Sequence, residues 1–226
     1  MPKTGVTRKK TYIIGAGGQA RQVAAIYEEK FPNSKIDGFL DIVEHGENYK
    51  INGVRVLHQR ILNKMDTGEA TLYNGLGRPN RWKVISPLVD RGFNFPNLIH
   101  KRTFIPKRVE LGQGTIVQAG VQFMTDVTVG DFVLIDLNAT IGHDVRISDY
   151  TTITPGVNIS GRVYIGSKSW IGVGAVILEG ISVGDNCIIG AGSLVNRDIP
   201  PNTLAYGVPV RVIKEIEDAG NYLANR

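Results

Sequence analysis

From Ile99 onward an aliphatic or aromatic residue returns at every sixth position without a break in phase. The column runs Ile99, Ile105, Leu111, Val117, Phe123, Val129, Ile135, Ile141, Ile147 and Ile153, then Ile159, Ile165, Ile171, Ile177, Val183, Ile189 and Val195, about seventeen consecutive hexads. Four residues after it stands a second column, small or β-branched almost throughout, at Thr103, Val121, Ala139, Thr151, Ser169, Ala175, Cys187 and Ser193. Glycine often follows the first column, as at Gly112, Gly130, Gly142, Gly166, Gly172, Gly184 and Gly190. A period of six fits neither an α-helix nor an array of hairpins. It fits a triangular coil of three short strands and three tight corners, with a large residue filling the inside of each edge. One such coil cannot bury its own core, so coils stack and pair edge to edge. Residues eighteen apart then stand above one another, one strand spacing (about 4.8 Å) away.

The repeat takes up the second half of the chain and fixes the domain plan. Residues 1–10 read as a disordered basic tail, 11–97 as a Rossmann-like α/β domain, 98–200 as the parallel β-helix and 201–226 as a carboxyl-terminal extension. In the first domain Thr11 to Ile14 reads as a buried strand, Gly15-Ala16-Gly17-Gly18 as a tight turn and Gln19 to Lys30 as a helix. Gly15, Gly17 and Ala20 match a G-x-G-x-x-A fingerprint, and Asp37 and Asp41 follow at the distance of its acidic partner. A glycine turn of this kind lets backbone N–H groups and a helix N-terminus meet a phosphate. A full dinucleotide domain needs two βαβαβ halves, and too little chain precedes the hexads. A half-sized domain holding a nucleotide fits better than an NAD enzyme. Ile36 to Asp41 is expected to form a second strand with its loop, and Ala70 to Gly77 a later strand ending in a glycine loop, with Arg78 and Arg81 beyond it. Arg81 is a candidate phosphate contact.

The formal net charge of +5 suits an anionic, phosphate-bearing ligand. No long Lys/Arg run with interleaved aromatics follows residue 10, which argues against nucleic acid. The single cysteine, Cys187, falls in the small inward column and reads as a packed core thiol. With no disulfide possible within the chain, a reducing cytoplasm is expected. No signal peptide or membrane span is read from the sequence.

Of four histidines, His143 lies within the hexad array proper, third in its hexad and therefore at a corner, pointing outward. Asp144 follows it directly and is placed to orient an imidazolium. The eighteen-residue stacking sets Gly161 one coil above His143, where an unobstructed backbone N–H can meet a thioester carbonyl or its oxyanion. The same stacking sets Asp126 below Asp144 and Arg162 above it, so that Asp144 is held between repulsion and attraction.

These residues together resemble a family. Gly15-Ala16-Gly17-Gly18, Gly38-Phe39-Leu40-Asp41, His143-Asp144, Thr154-Pro155-Gly156-Val157, Ser160-Gly161 and Gly207-Val208-Pro209 are similar to the bacterial sugar acyltransferases. The closest kind N-acetylates nucleotide-linked 4-amino sugars, and a sister kind O-acetylates sialic acid. The resemblance implies a left-handed hand for the β-helix, a homotrimer with sites at subunit interfaces, acetyl-CoA as co-substrate without a metal, and a place in polysaccharide biosynthesis. It makes His143 the catalytic base and Asp144 its acidic partner, and gives the Gly161 amide to the acetyl carbonyl. Gly15, Gly17, Gly18 and Gln19 match the loop that approaches the nucleotide sugar, and Asp41 an acidic residue near its base. Gly207, Arg211 and Lys214, with Arg197, fall where the family binds the CoA end. Gln19 departs from the histidine of many members, Asp136 from an asparagine and Thr152 from a histidine of the bacillosamine branch.

The implied reaction is direct transfer to the C4 amine of a nucleotide-linked amino-deoxy sugar; no cysteine or serine with a paired base suggests a covalent route. A sugar O-acetyltransferase is the alternative, and a silent assembly protein a further one. A β-helix carbonic anhydrase needs three histidines on zinc, and the array supplies only His143 and, at its edge, His100. The identity of the nucleotide (UDP, GDP or dTDP) and the length of the acyl group stay open at this point. One outward stripe reads Ile116, Leu134, Thr152, Trp170 and Ile188; so apolar a face is expected to be buried against another chain or the amino-terminal domain.

Overall fold

The structure, a computed structural model, describes residues 8–224. The chain divides into two units: one holds the chain up to Leu76 with Val84–Pro96, the other Gly77–Lys83 and everything from Asn97 onward.

The first unit is built on β1 (Lys10–Ile14), α1 (Gly18–Lys30), β2 (Gly38–Asp41), β3 (Lys50–Ile51), β4 (Val54–His58) and β5 (Ala70–Asn74). The strand order is β3-β4-β2-β1-β5, parallel except where β3 runs antiparallel to β4. Because β1 is flanked on both sides, Tyr12, Ile13 and Ile14 are buried without alternation, as parallel strands covered on both faces require. One stripe of α1 (Ala20, Val23, Ala24, Ile26, Tyr27) is buried, the helical spacing of an amphipathic face. Between Asp41 and Ala70, where no element was expected, an Asn52-Gly53 turn with φ of 49° and 79° joins β3 to β4; the mirror-image two-residue turn demands that pair. The basic tail was drawn too long. Lys10 already belongs to β1 and Arg8 pairs with Asp37, while residues 1–7 lie outside the described residues.

The second unit is the parallel β-helix. Its strands form two five-stranded sheets and one eight-stranded sheet, and partners are eighteen residues apart, as in Leu134 with Thr152 and Thr152 with Trp170. The inward column is sealed: Val117, Ile135, Ile153, Ile165, Ile171, Ile177 and Ile189 are all fully buried, as are Ala139, Ala175 and Cys187 of the small column. Burial pushes the Cys187 thiol up to about 11, the state of an inert core thiol.

The corners carry a regularity the sequence hides. At every sixth residue from Gly114 to Gly192 the backbone is left-handed, whether the residue is glycine or Asp126, Phe132, Asn138, Asp144, Tyr150, Arg162, Lys168 or Asn186. Such a conformation costs roughly 1–2 kcal/mol for an ordinary residue. It is held by bonds between coils, such as Asp144 N–H to the Thr125 carbonyl and Arg162 N–H to the His143 carbonyl. Gly142 is needed for a different reason: a Cβ there would lie 2.5 Å from the Ser160 carbonyl carbon on the next coil.

The residues after 200 are no separate extension. Thr203–Tyr206 adds to the eight-stranded sheet beside Ile188–Ile189, and Arg211–Glu215 returns antiparallel to it. α2 (Trp82–Asp90) and α3 (Ala219–Ala224) complete the elements used below. Trp170 is half-buried and packs with Ile188, Leu204, Ile216, Ala219, Tyr222 and Leu223. The Trp170–Ile188 end of the apolar stripe is thus covered by the chain's own carboxyl-terminal segment, a cover the sequence did not suggest, while Thr152 in the same stripe meets Gly77 and Arg81 from the stretch before the hexads.

Ile153, fully buried at mid-helix, tests the stacked core. Ile153→Ala should cost about 2–5 kcal/mol of unfolding free energy in a denaturant titration; a loss below about 1 kcal/mol would show that the column does not carry the fold.

Candidate active site

His143 sits at a corner because Ile141 before it and Val145 after it are both pulled inward, at 1% and 0% exposure. The left-handed φ of 58° at Asp144, which aspartate tolerates well, turns its carboxylate back on the ring. Asp144 Oδ2 lies 2.8 Å from His143 Nδ1. A carboxylate at Nδ1 makes that nitrogen the N–H donor, so Nε2 is the basic atom of the neutral ring. The His143 side chain is 35% exposed, open to a substrate yet held at one edge.

Gly161 lies against the other edge. A Cβ there would fall 2.5 Å from both Cε1 and Nε2 of His143, so the ring occupies the space a side chain would take. The structure brings together the three groups expected to meet: base, orienting acid and glycine. It also brings in one the sequence analysis missed. Glu179, one coil above Gly161, leans over the missing side chain until its Oε1 is 3.8 Å from His143 Nε2. The Arg162 Nη2 holds that same oxygen at 2.8 Å. Arg162 therefore serves Glu179, and the expected attraction of Arg162 on Asp144 is not formed. Asp126 is engaged by Arg108 at 3.5 Å and by the Thr125 hydroxyl at 2.7 Å. The signal for Glu179 lay in the stacking itself: 143, 161 and 179 share one corner.

In the amino-terminal unit the carboxyl ends of β2, β1 and β5 lie side by side, which places Asp41, the Gly15–Gln19 turn and the Gly75-Leu76 loop at one sheet edge. Gly15 has φ of 97°, and a Cβ on it would lie 2.7 Å from the Leu76 side chain. Gly17 caps α1 with no side-chain bond, and no acidic residue stands in the first turn, an arrangement suited to an anion. Gln19 is half-buried in that turn. Asp41 is occupied by a residue not singled out: its Oδ2 lies 2.9 Å from His45 Nε2, and the His45 ring stacks on Tyr49 with centroids 4.6 Å apart.

Arg81 is a correction. It belongs to the β-helix unit and is 1% exposed. Its Nε and Nη2 donate to the Phe132 carbonyl at 3.1 and 2.6 Å, and Nη2 also to the Thr151 carbonyl at 2.9 Å. Nη1 donates to Thr152 Oγ1 at 2.9 Å and to the Arg78 and Gly77 carbonyls at 3.0 and 3.3 Å. Burial lowers its pKa to about 9, still charged at neutral pH, and its donors are spent on protein oxygens. A phosphate finds nothing left to bind, and Thr152 is explained by the same contact.

Gly207, with φ of 114°, turns the chain between Thr203–Tyr206 and Arg211–Glu215. Arg211 and Lys214, three apart, belong on opposite faces of a regular strand. A register shift opposite Leu204 and Ala205 pairs Arg211 with Tyr206 and Lys214 with Leu204, which returns both cations to one face. Both are exposed, and Lys214 Nζ stands 4.7 Å above the Tyr222 ring. Among the described residues no group of three His, Cys, Asp or Glu side chains is placed to hold a metal, and no helix is long and apolar enough to cross a membrane.

Residues 162–197 match the family of bacterial transferase hexapeptides (six repeats). The fold has close relatives among solved structures. A histidine-to-asparagine mutant of perosamine N-acetyltransferase from Caulobacter crescentus, in complex with CoA and GDP-perosamine, is 28% identical over 92% of this chain and 99% of its own, with a TM-score of 0.83. The acetyltransferase domain of PglB from Neisseria gonorrhoeae FA1090, in complex with acetyl coenzyme A, is 28% identical over 92% of this chain and 100% of its own, with a TM-score of 0.85. The chain carries the fold of the left-handed β-helix acyltransferases. WeeI from Acinetobacter baumannii AYE shares that fold at 24% identity, with a TM-score of 0.84 over 91% of this chain. No curated protein sequence matches. The β-helix acyltransferase fold thus extends over both units, where the repeat family alone covers a stretch of the second.

Arg81→Ala tests the corrected role. It should take the guanidinium donors away from the buried Phe132 carbonyl, at about 1.5–3 kcal/mol for a hydrogen bond to a charged group, and lower Tm while leaving the KM for a nucleotide-linked acceptor unchanged. A raised acceptor KM at unchanged Tm would restore Arg81 to the ligand site.

Proposed function

We propose that this protein is an acetyl-CoA-dependent N-acetyltransferase that acts on the C4 amine of a nucleotide-linked amino-deoxy sugar, with His143 as general base. The observation that carries the reading is the 2.8 Å contact between His143 Nδ1 and Asp144, which leaves Nε2 as the basic atom beside the gap above Gly161. Two further supports come from relatives of the same fold, one in complex with CoA and GDP-perosamine and one with acetyl coenzyme A. The sequence resemblance supports the finer points: a cytoplasmic homotrimer that serves polysaccharide biosynthesis.

The chemistry follows from what the residues can hold. The neutral C4 amine attacks the thioester carbonyl, and its nitrogen becomes cationic as the new C–N bond forms. His143 Nε2 takes that proton, and the Asp144 carboxylate stabilises the imidazolium. The carbonyl oxygen, carrying the developing negative charge, is received by the Gly161 amide. The tetrahedral carbon then releases the CoA thiolate, which recovers the proton from His143. Arg211 and Lys214, exposed on one face, are the groups for the phosphates of CoA. Gly15, Gly17, Gly18, Gln19 and Asp41 are the groups for the nucleotide sugar, with His45 and Tyr49 added beside Asp41.

Two experiments test this reading. His143→Ala should lower kcat by roughly 10²–10⁴-fold with acetyl-CoA binding retained in calorimetry, and Asp144→Asn should cost less, since asparagine keeps the hydrogen bond and the left-handed backbone; a near-normal kcat in His143→Ala removes the histidine from the mechanism. Replacing Arg211 and Lys214 together by alanine should raise the KM for acetyl-CoA more than that for the sugar, whereas an unchanged acetyl-CoA KM would mark them as surface charge only.

A further inference from the structure

The contact between Glu179 and His143 is an odd length. At 3.8 Å the two atoms lie beyond direct hydrogen-bond length, and with both of them acceptors no hydrogen stands between them. Nε2 is an acceptor because Nδ1 is committed to Asp144. Glu179 Oε1 is an acceptor fixed in place by Arg162 at 2.8 Å. Both are solvent-accessible, with side chains 35% and 50% exposed. A donor at ordinary hydrogen-bond length, about 2.8–2.9 Å, from each of them fits between the two. To satisfy both it must carry two hydrogens on one atom.

We propose that Glu179 and His143 form a two-acceptor clamp that selects a primary amine, and that Glu179 is the residue by which this site prefers amine over hydroxyl acceptors. The inference rests on the acyl-transfer reading above and deepens it. A primary amine donates one N–H to Nε2 and one to Glu179, with its lone pair left for the thioester. A hydroxyl has a single hydrogen and leaves one acceptor facing its lone pairs, an unfavourable contact for a carboxylate oxygen. The carboxylate also draws the ammonium form into the site, where it sheds one proton to solvent before attack; the second N–H bond to break is the one facing Nε2. Gly161 makes the clamp possible, because any side chain there would displace the ring and fill the path between the two acceptors. The remaining charges at this corner are accounted for: Asp144 on Nδ1, Arg162 on Glu179, and Asp126 with Arg108 one coil below.

The test uses the full-length protein, acetyl-CoA and two acceptors that differ at one atom: UDP-, GDP- or dTDP-linked 4-amino-4,6-dideoxyhexose and its 4-hydroxyl counterpart. Wild type should acetylate the amine in strong preference. Glu179→Gln, an exposed and near-isosteric change, should raise the KM for the amine about ten- to hundredfold, the worth of one charge-assisted hydrogen bond, with the acetyl-CoA KM unchanged and hydroxyl turnover raised, since an amide N–H can face the hydroxyl lone pair that the carboxylate repelled. An unaltered amine-to-hydroxyl ratio in Glu179→Gln overturns the clamp and leaves the acetyltransferase reading standing. A rise in acetyl-CoA KM with the amine KM unchanged also overturns it, since Glu179 would then line the donor's path. Wild type that acetylates the hydroxyl acceptor alone, or neither acceptor, overturns both.

Discussion

The ladder of backbone hydrogen bonds between successive coils governs this molecule more than any side chain does. Each strand of the repeat between Leu98 and Val195 is two or three residues long, far too short to stand alone, and within the stack each is secured by partners eighteen residues before and after it. The inward isoleucines and valines fill the prism that the ladder encloses. The corners bear left-handed backbone at regular intervals, and their strain is borne because the corner amides bond to the coil below. Once this repeat is set, the outward side chains have little freedom of address. His143, Gly161 and Glu179 are neighbours because the coil closes in eighteen residues.

The His143 corner uses that constraint in two ways. Left-handed Asp144 keeps its carboxylate on the adjacent ring, so the imidazole is oriented by a residue that is itself held by the fold. Gly161 contributes by what it lacks. Along another column of the stack, successive coils meet through side chains: the carboxylates of Asp131, Asp149 and Asp185 accept the backbone N–H groups of Gln113, Asp131 and Ser167. At His143 the ring stands where such a side chain would be, and the next carboxylate up, Glu179, takes its place opposite Nε2.

Arg81 shows the opposite economy. A guanidinium withdrawn from water without an acidic partner is among the costlier groups to bury. Here five oxygens of the protein receive it, three on the β-helix face and two on the turn that carries it. The residues that follow it in α2 join the same surface, with Lys168 Nζ 4.3 Å above the Trp82 ring and Lys83 Nζ 3.1 Å from Asp218. Leu134 and Thr152 on this face lie at 3% and 4% exposure.

Much of this was legible in the sequence, because a period of six is a local signal: the β-helix, its register, the buried columns and the His143–Asp144 pair follow from spacing alone. The first strand, the glycine turn and α1 were legible for the same reason. The Asn52-Gly53 hairpin is also written in the chain, since that dipeptide is the residue signature of a two-residue turn. The rest depended on contacts that spacing does not carry. An arginine after a glycine loop looks the same whether it binds phosphate or buries itself against Phe132, and only packing distinguished the two. Arg211 and Lys214 share a face because of a register shift with no residue signature. The sequence by itself determined the triangular coil and its eighteen-residue register, since hydrophobic period and backbone pairing fix both, though not the hand. Tertiary structure decided which charged side chains are spent inside the protein and which remain free for a ligand, because that choice is made by desolvation and by the reach of long side chains between coils.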